Sequence, residues 1–179
     1  MALEINVQLL PGIDNLPACV ENGKTFEANA RKKALHYSQF TASPVFADDS
    51  GLCVDALKGG PGVFSARFAG PEADDEANNQ KLLSELAKFP QKKRSAHYVC
   101  VVALAERGRI LAVVEGRADG LIQEKPCGTG GFGYDPYFFH PPLGKAFAQL
   151  SVEEKFIVSH RGEAFRKLLA HIQSEVART

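Results

Sequence analysis

Apolar and polar positions alternate over residues 3–10, and Pro11-Gly12 closes that run, which predicts an opening strand. Thr25 stands where a helix cap is needed, ahead of a helical stretch through about Phe40. Residues 45–47 and 52–57 predict two short strands flanking a turn made of Asp48, Asp49, Ser50 and Gly51. Gly59-Gly60-Pro61-Gly62 then imposes an irregular loop running to Gly70. Over residues 74–89, Ala77, Leu82, Leu83, Leu86 and Phe89 recur at helical spacing until Pro90 ends the pattern.

The clearest hairpin pairs residues 96–105 with 110–115 across Glu106-Arg107-Gly108-Arg109, with β-branched side chains on both arms and a glycine at the turn. Residues 118–144 are rich in glycine, proline and aromatics with little periodicity. That is too long for a mere connector, so the segment reads as a functional loop. Ser151-Val152-Glu153-Glu154 is a capping box opening a short helix. Ser159 starts a final helix whose apolar face is Phe165, Leu168, Leu169, Ile172 and Val176. Strands and helices mix throughout, so the fold class is α/β or α+β.

The 179 residues fit one domain able to bury a sizeable core. With 21 basic and 21 acidic residues, the chain lacks the global field that accompanies binding of nucleic-acid polymers or anionic membranes, and any phosphate chemistry must be local. Cys19, Cys53, Cys100 and Cys127 show no paired or metal-finger spacing, which suits reduced thiols in a cytoplasmic protein. The longest apolar run, residues 98–105, is too short to span a bilayer, and no basic head precedes the N-terminal apolar stretch.

Chemistry concentrates at three places. Asp48 and Asp49 at a strand end are costly to desolvate unless a cation, a metal or backbone donors meet them. Because strand side chains alternate, one of the pair faces a cleft and the other anchors the loop. Hard oxygen ligands of this kind, with Glu21 as a second contributor, suit Mg²⁺ bridging to substrate phosphates, while a turn in which one carboxylate caps Gly51 or Leu52 is the plain alternative. Residues 128–133 match G-x-G-x-x-G, but Pro136, Pro141 and Pro142 forbid the long helix that a dinucleotide fingerprint opens. The glycines instead let backbone donors approach a ligand while Phe132 offers a face to a planar base, or Phe132 belongs to the core. Lys33, Lys155, Arg161 and Arg67 are the candidate clamps. His160 and Arg161 fall in a helix's first turn, where positive charge opposes the dipole.

These segments, in this order, resemble the inosine triphosphate pyrophosphatase family. The resemblance rests on Thr25-Phe26, Asn29-Ala30, Lys33-Ala34, residues 47–52, residues 54–57, residues 62–70, residues 128–136 and residues 154–161, and it covers nearly the whole chain. It implies Mg²⁺-dependent hydrolysis of deaminated purine nucleoside triphosphates, ITP, dITP and XTP, to the monophosphate and pyrophosphate. Asp49 would be the general base and a metal ligand, with Glu21 a further ligand. Ser50, Lys33 and Lys155 would hold phosphates or sugar. Phe132, Gly133, Tyr134 and Asp135, with His160 and Arg161, would form the pocket for the base. The implied fold is an elongated α/β structure with a mixed central sheet flanked by helices, a cleft between two lobes, and a homodimeric assembly.

The resemblance also sets two contrasts. The family usually opens with a strand and a Thr/Ser-x-Asn-x-x-Lys loop that grips the triphosphate, a unit expected to be missing ahead of Met1. Its loss would leave a catalytically impaired, nucleotide-binding homodimer as the alternative reading. Ala28 stands where the family commonly has Glu, so the capping box that Thr25 would open is incomplete. A related pyrophosphatase acting on modified pyrimidine nucleotides is a third reading, against which the two-donor pocket of His160 and Arg161 argues.

Overall fold

The computed structural model describes residues 5–90 and 94–178. At its centre lies β3 (Ser95–Glu106), whose side chains from Tyr98 to Ala105 are buried without interruption. A strand with helices on both faces is expected to read as a continuous apolar run, and Tyr98-Val99-Cys100-Val101-Val102-Ala103-Leu104-Ala105 does so. Alternate residues divide the core. Val99, Val101, Ala103 and Ala105 join Ala30 and Ala34 of α1 (Phe26–Tyr37), whereas Cys100, Val102 and Leu104 join Ala164 and Leu168 of α4 (His160–Val176). A third cluster gathers Leu52, Val54, Tyr98, Ile122, Tyr134, Phe138 and Phe147 with Leu82 and Leu86 of α2 (Asp75–Leu86).

The six-stranded sheet runs β2-β1-β3-β4-β5-β6, with β1 Val45–Val54, β2 Gly60–Pro61, β4 Arg109–Ile122, β5 Phe138–His140 and β6 Lys145–Ala146. The α/β class is present, but every described pairing is antiparallel, so the mixed strand direction is not found. The tight link from β3 to β4 imposes this on its pair, since parallel neighbours need long crossovers. That link places Arg107 and Gly108 at φ 48° and 75°, the positive values that a two-residue primed turn requires.

Several elements differ from the sequence expectation. Residues 45–54 form one ten-residue strand, not two strands about a turn: Asp48 and Asp49 pair with Val102 and Val101, and Asp55–Leu57 is a 3-10 turn. Turn-forming residues yield here to a complete ladder along β3. The loop expected from Ala118 begins later, because β4 continues to Ile122 alongside β3. The opening strand is absent over residues 5–10, which carry no regular element, and the rest of that expectation lies outside the described residues.

The helices follow their caps. Thr25 Oγ1 accepts the Ala28 N–H at 3.1 Å, Asp74 caps α2, Ser151 closes its box with Glu154 at the start of α3 (Val152–Val158), and Ser159 caps α4. The α4 face is narrower than its periodicity suggests. Leu168 is buried and Phe165 meets Phe46 edge-on at 5.2 Å, but Val176 is 50% exposed. At its start α4 lies directly on β4, where a Cβ on Gly116 would stand 2.1 Å from the His160 carbonyl oxygen.

Candidate active site

The pleat of β1 separates its two carboxylates. On the α1 side, Asp49 accepts from Asn29 Nδ2 at 3.0 Å and lies 3.4 Å from Lys33 Nζ, which also meets Glu21 Oε2 at 2.7 Å. Asn29 is itself fixed, because its Oδ1 accepts the Gly23 N–H at 2.7 Å. Burial pushes the Asp49 carboxyl above its ordinary range, against the pull of Asn29 and Lys33. For Lys33 burial acts downward, but the bonds and charges of Glu21 and Asp49 outweigh it and hold the ammonium above its usual value. Two carboxylates thus converge on one cation.

On the α4 side, Asp48 Oδ2 accepts from Arg161 Nε at 3.2 Å and from Nη2 at 3.0 Å, and the same Nη2 donates to Ser50 Oγ at 3.1 Å. Cys100 lies 3.6 Å from Asp48, its thiol pushed up to about 12 by burial and by that carboxylate. His160 stacks on Tyr98 at 4.5 Å and 9°. It does not supply the positive charge that its place in the first helical turn suggests. Burial, and then the neighbouring cations Arg161 and Lys155, lower it to about 3, so the ring is neutral and its buried Nδ1 finds no partner among the described residues.

Above this face stands the aromatic loop. Gly131 at φ 73° brings the backbone so near Asp135 that a Cβ would fall 2.0 Å from Oδ2. Buried Asp135 accepts the Phe132 N–H at 2.9 Å and pairs with Lys155. The Phe132 ring is 61% exposed, with Lys155 Nζ 4.7 Å and Arg161 Cζ 5.6 Å from its centre. Two recesses flank that ring. One, of about 250 Å³, is lined by Ser50, Gly51, Tyr98, Gly133, Tyr134, Asp135, His160 and Arg161. The other, of about 360 Å³, is lined by Lys155, Phe156, Ser159, His160, Arg161 and Phe165.

The structure therefore brings Ser50, Phe132, Gly133, Tyr134, Asp135, Lys155, His160 and Arg161 together, and sets Asp49, Glu21 and Lys33 across the strand. Lys33 and Lys155 do not share a face. Arg67 lies apart, over the Phe64 ring at 5.3 Å. Sequence reasoning missed Tyr98, hidden inside an apolar run, and Asp75, whose Oδ2 accepts the Gly133 N–H at 2.6 Å. Asp75 lies in the first turn of α2, and nothing local in the sequence ties it to residue 133. Among the described residues no group of three His, Cys, Asp or Glu side chains could hold a metal ion, and no helix is long and apolar enough to cross a membrane.

Residues 1–171 match the pattern that defines the Ham1 family. The dITP/XTP pyrophosphatase of Geobacter sulfurreducens is 49% identical over 163 residues, which cover 91% of this chain and 82% of that protein. That of Desulforamulus reducens is 52% identical, over 83% of this chain and 74% of its own. The Staphylococcus aureus Ham1 protein superposes with a TM-score of 0.84 at 41% identity, covering 91% of this chain and 84% of its own. The resemblance read from the motifs holds at the level of sequence and fold alike, and the chain belongs to the Ham1 family.

Proposed function

We propose that this chain, acting as one catalytic unit, is a nucleoside triphosphate pyrophosphatase that hydrolyses dITP, XTP and ITP to the monophosphate and pyrophosphate. The observation that carries the reading is the division of labour across β1: a charged cluster of Asp49, Glu21 and Lys33 on one side, and on the other an aromatic pocket whose Arg161 and Lys155 are each paired with a carboxylate. With a divalent cation on its two carboxylates, that arrangement suits a ligand with a polyanionic end and a planar end.

Asp49 and Glu21 fit Mg²⁺. Both are hard oxygen donors converging on one cation, and two carboxylates plus substrate phosphates are a usual set for that ion. When bound there, Mg²⁺ supplies charge neutralisation at the phosphates and an acidified water. Asp49, its carboxyl raised by burial, is the better placed to accept a proton from the attacking water. Lys33 offsets phosphate charge. Arg161 is aimed by Asp48 and Ser50, and Phe132 stacks on the base. Donors facing a 6-oxo group reward hypoxanthine or xanthine, whereas the adenine 6-amino group leaves them unpaired. A homodimer in the cytoplasm belongs to the same reading, supported by the resemblance and by four free cysteines. No observation favours a binding protein without turnover.

The test is pyrophosphate release from ITP, dITP, XTP and ATP in the presence of Mg²⁺. We expect turnover of the first three, with ATP disfavoured by about 10²-fold or more in kcat/KM. Folded protein that releases pyrophosphate from none of them overturns the reading.

A further inference from the structure

The helix α2 contributes nothing to the charged cluster, yet both walls of the recess beside Phe132 hang from its polar face. Asp75 and Asn79, one turn apart, grip the two sides of a single residue: the Gly133 N–H donates to Asp75 Oδ2 at 2.6 Å, and Asn79 Nδ2 donates to the Gly133 carbonyl at 3.0 Å. Between them Asn78 holds the opposite wall, donating to the Ala66 carbonyl at 3.2 Å and accepting the Ala69 N–H at 2.8 Å. The walls are also tied to each other, because Tyr134 Oη donates to the Ser65 carbonyl at 2.8 Å. Asn78 and Asn79 are almost fully buried, and the Asn79 Oδ1 has no partner among the described residues. Buried amides are costly in a helix unless they serve something beyond it.

We infer that Asp75 and Asn79 are positioning residues for the nucleobase: by clamping both peptide groups of Gly133 they fix the stance of the Phe132 ring and the width of the recess. Gly133 stands at φ 60° with open space where a Cβ would lie, so its backbone conformation is held by these two bonds and not by side-chain packing. The Phe132 backbone is otherwise held from within its own loop, by Asp135, and its ring meets the side-chain heads of Lys155 and Arg161. Release of Gly133 leaves the ring's anchor to α2 lost while Asp49, Glu21 and Lys33 stay in place across β1. The loss therefore falls on binding of the base more than on the chemical step.

This inference rests on the pyrophosphatase reading, and one experiment separates the two. Steady-state pyrophosphate release from ITP is measured for the wild type and for Asp75→Ala, Asn79→Leu, the double variant and Asp75→Asn. The expected result is a KM raised about 5- to 20-fold by either single substitution, with kcat within about threefold of the wild type. The double variant should fall short of the product of the two, since both act on one residue. Asp75→Asn, which keeps an oxygen facing the Gly133 N–H, should recover most of the loss. Should Asn79→Leu fail to fold, Asn79→Ser removes the same donor and carries the same expectation. Variants that melt earlier but keep the wild-type KM overturn the inference and leave α2 a structural element, as does a fall in kcat at unchanged KM. A wild type without activity overturns the pyrophosphatase reading instead.

Discussion

On the α1 side of β1, Asp49 is held by an amide and shares one ammonium with Glu21, whereas on the α4 side Asp48 is spent on a guanidinium beside stacked rings. The two carboxylates are adjacent in sequence and differ in what they leave available. Asp49 keeps a carboxyl raised by burial, the state the proposed base needs, and Asp48 is paired with Arg161. A single extended strand can thus present a charged cluster on one side and an aromatic recess on the other, because its side chains alternate.

The harshest way to break this contrast is Asp49→Asn. We expect pyrophosphate release to fall by about 10²- to 10⁴-fold, while the thermal midpoint moves by only a few degrees. Asparagine keeps the side chain's shape and an oxygen for the Asn29 amide while removing a charge whose burial is unfavourable, so little stability is lost. A collapse of the melt would make Asp49 structural.

Acid titration sharpens the contrast, because the two sides carry opposite signs. His160, at about 3 in the fold against about 6.5 in the unfolded chain, leaves the native state short of a proton between those values. Its contribution is complete above pH 6.5 and is lost, at up to about 1.4 kcal/mol per pH unit, as the pH falls toward 3. Asp49 is raised, so its contribution is complete below the unfolded value of about 4 and is lost as the pH rises through its folded value. Thermal melts from pH 7.5 to 4.5 should therefore steepen downward in the wild type and flatten in His160→Gln. Equal slopes would mean that His160 is not the proton acceptor.

The smallest effect is expected on the α1 side alone. Ala28→Glu completes the box that Thr25 opens and should stabilise by about 0.5 kcal/mol, read as a slightly raised melting midpoint with unchanged kcat.

Much of the scaffold was legible because it rests on local rules. Caps at Thr25, Ser151 and Ser159, the apolar run of β3 and the hairpin turn at Gly108 each follow from a few neighbouring residues. What was misread depended on distant partners. Asp-Asp-Ser-Gly has turn chemistry by itself, and only the ladder to residues 99–102 and the waiting Asn29, Lys33 and Arg161 make it a strand. The candidate site followed the same division. Its motifs marked Asp49, Phe132 and Arg161, but the neutral state of His160 comes from burial under Tyr98, a contact 62 residues away in sequence. The pair of asparagines in α2 carried a usable signal, since such residues disfavour helix interiors, though not one that names residue 133.

The contact at Gly116 sets a manufacturing tolerance for the pocket. The carbonyl of His160 and the backbone nitrogen of Ala164 lie where a Cβ would need to be, at 2.1 and 2.5 Å, so the gap between β4 and the start of α4 is narrower than one methyl group. β4 is pinned along its edge by the ladder to β3, and the helix is the part free to give. One added carbon there would act as a shim under α4, lifting the imidazole and the guanidinium together, and substrate choice would register the change before the fold did.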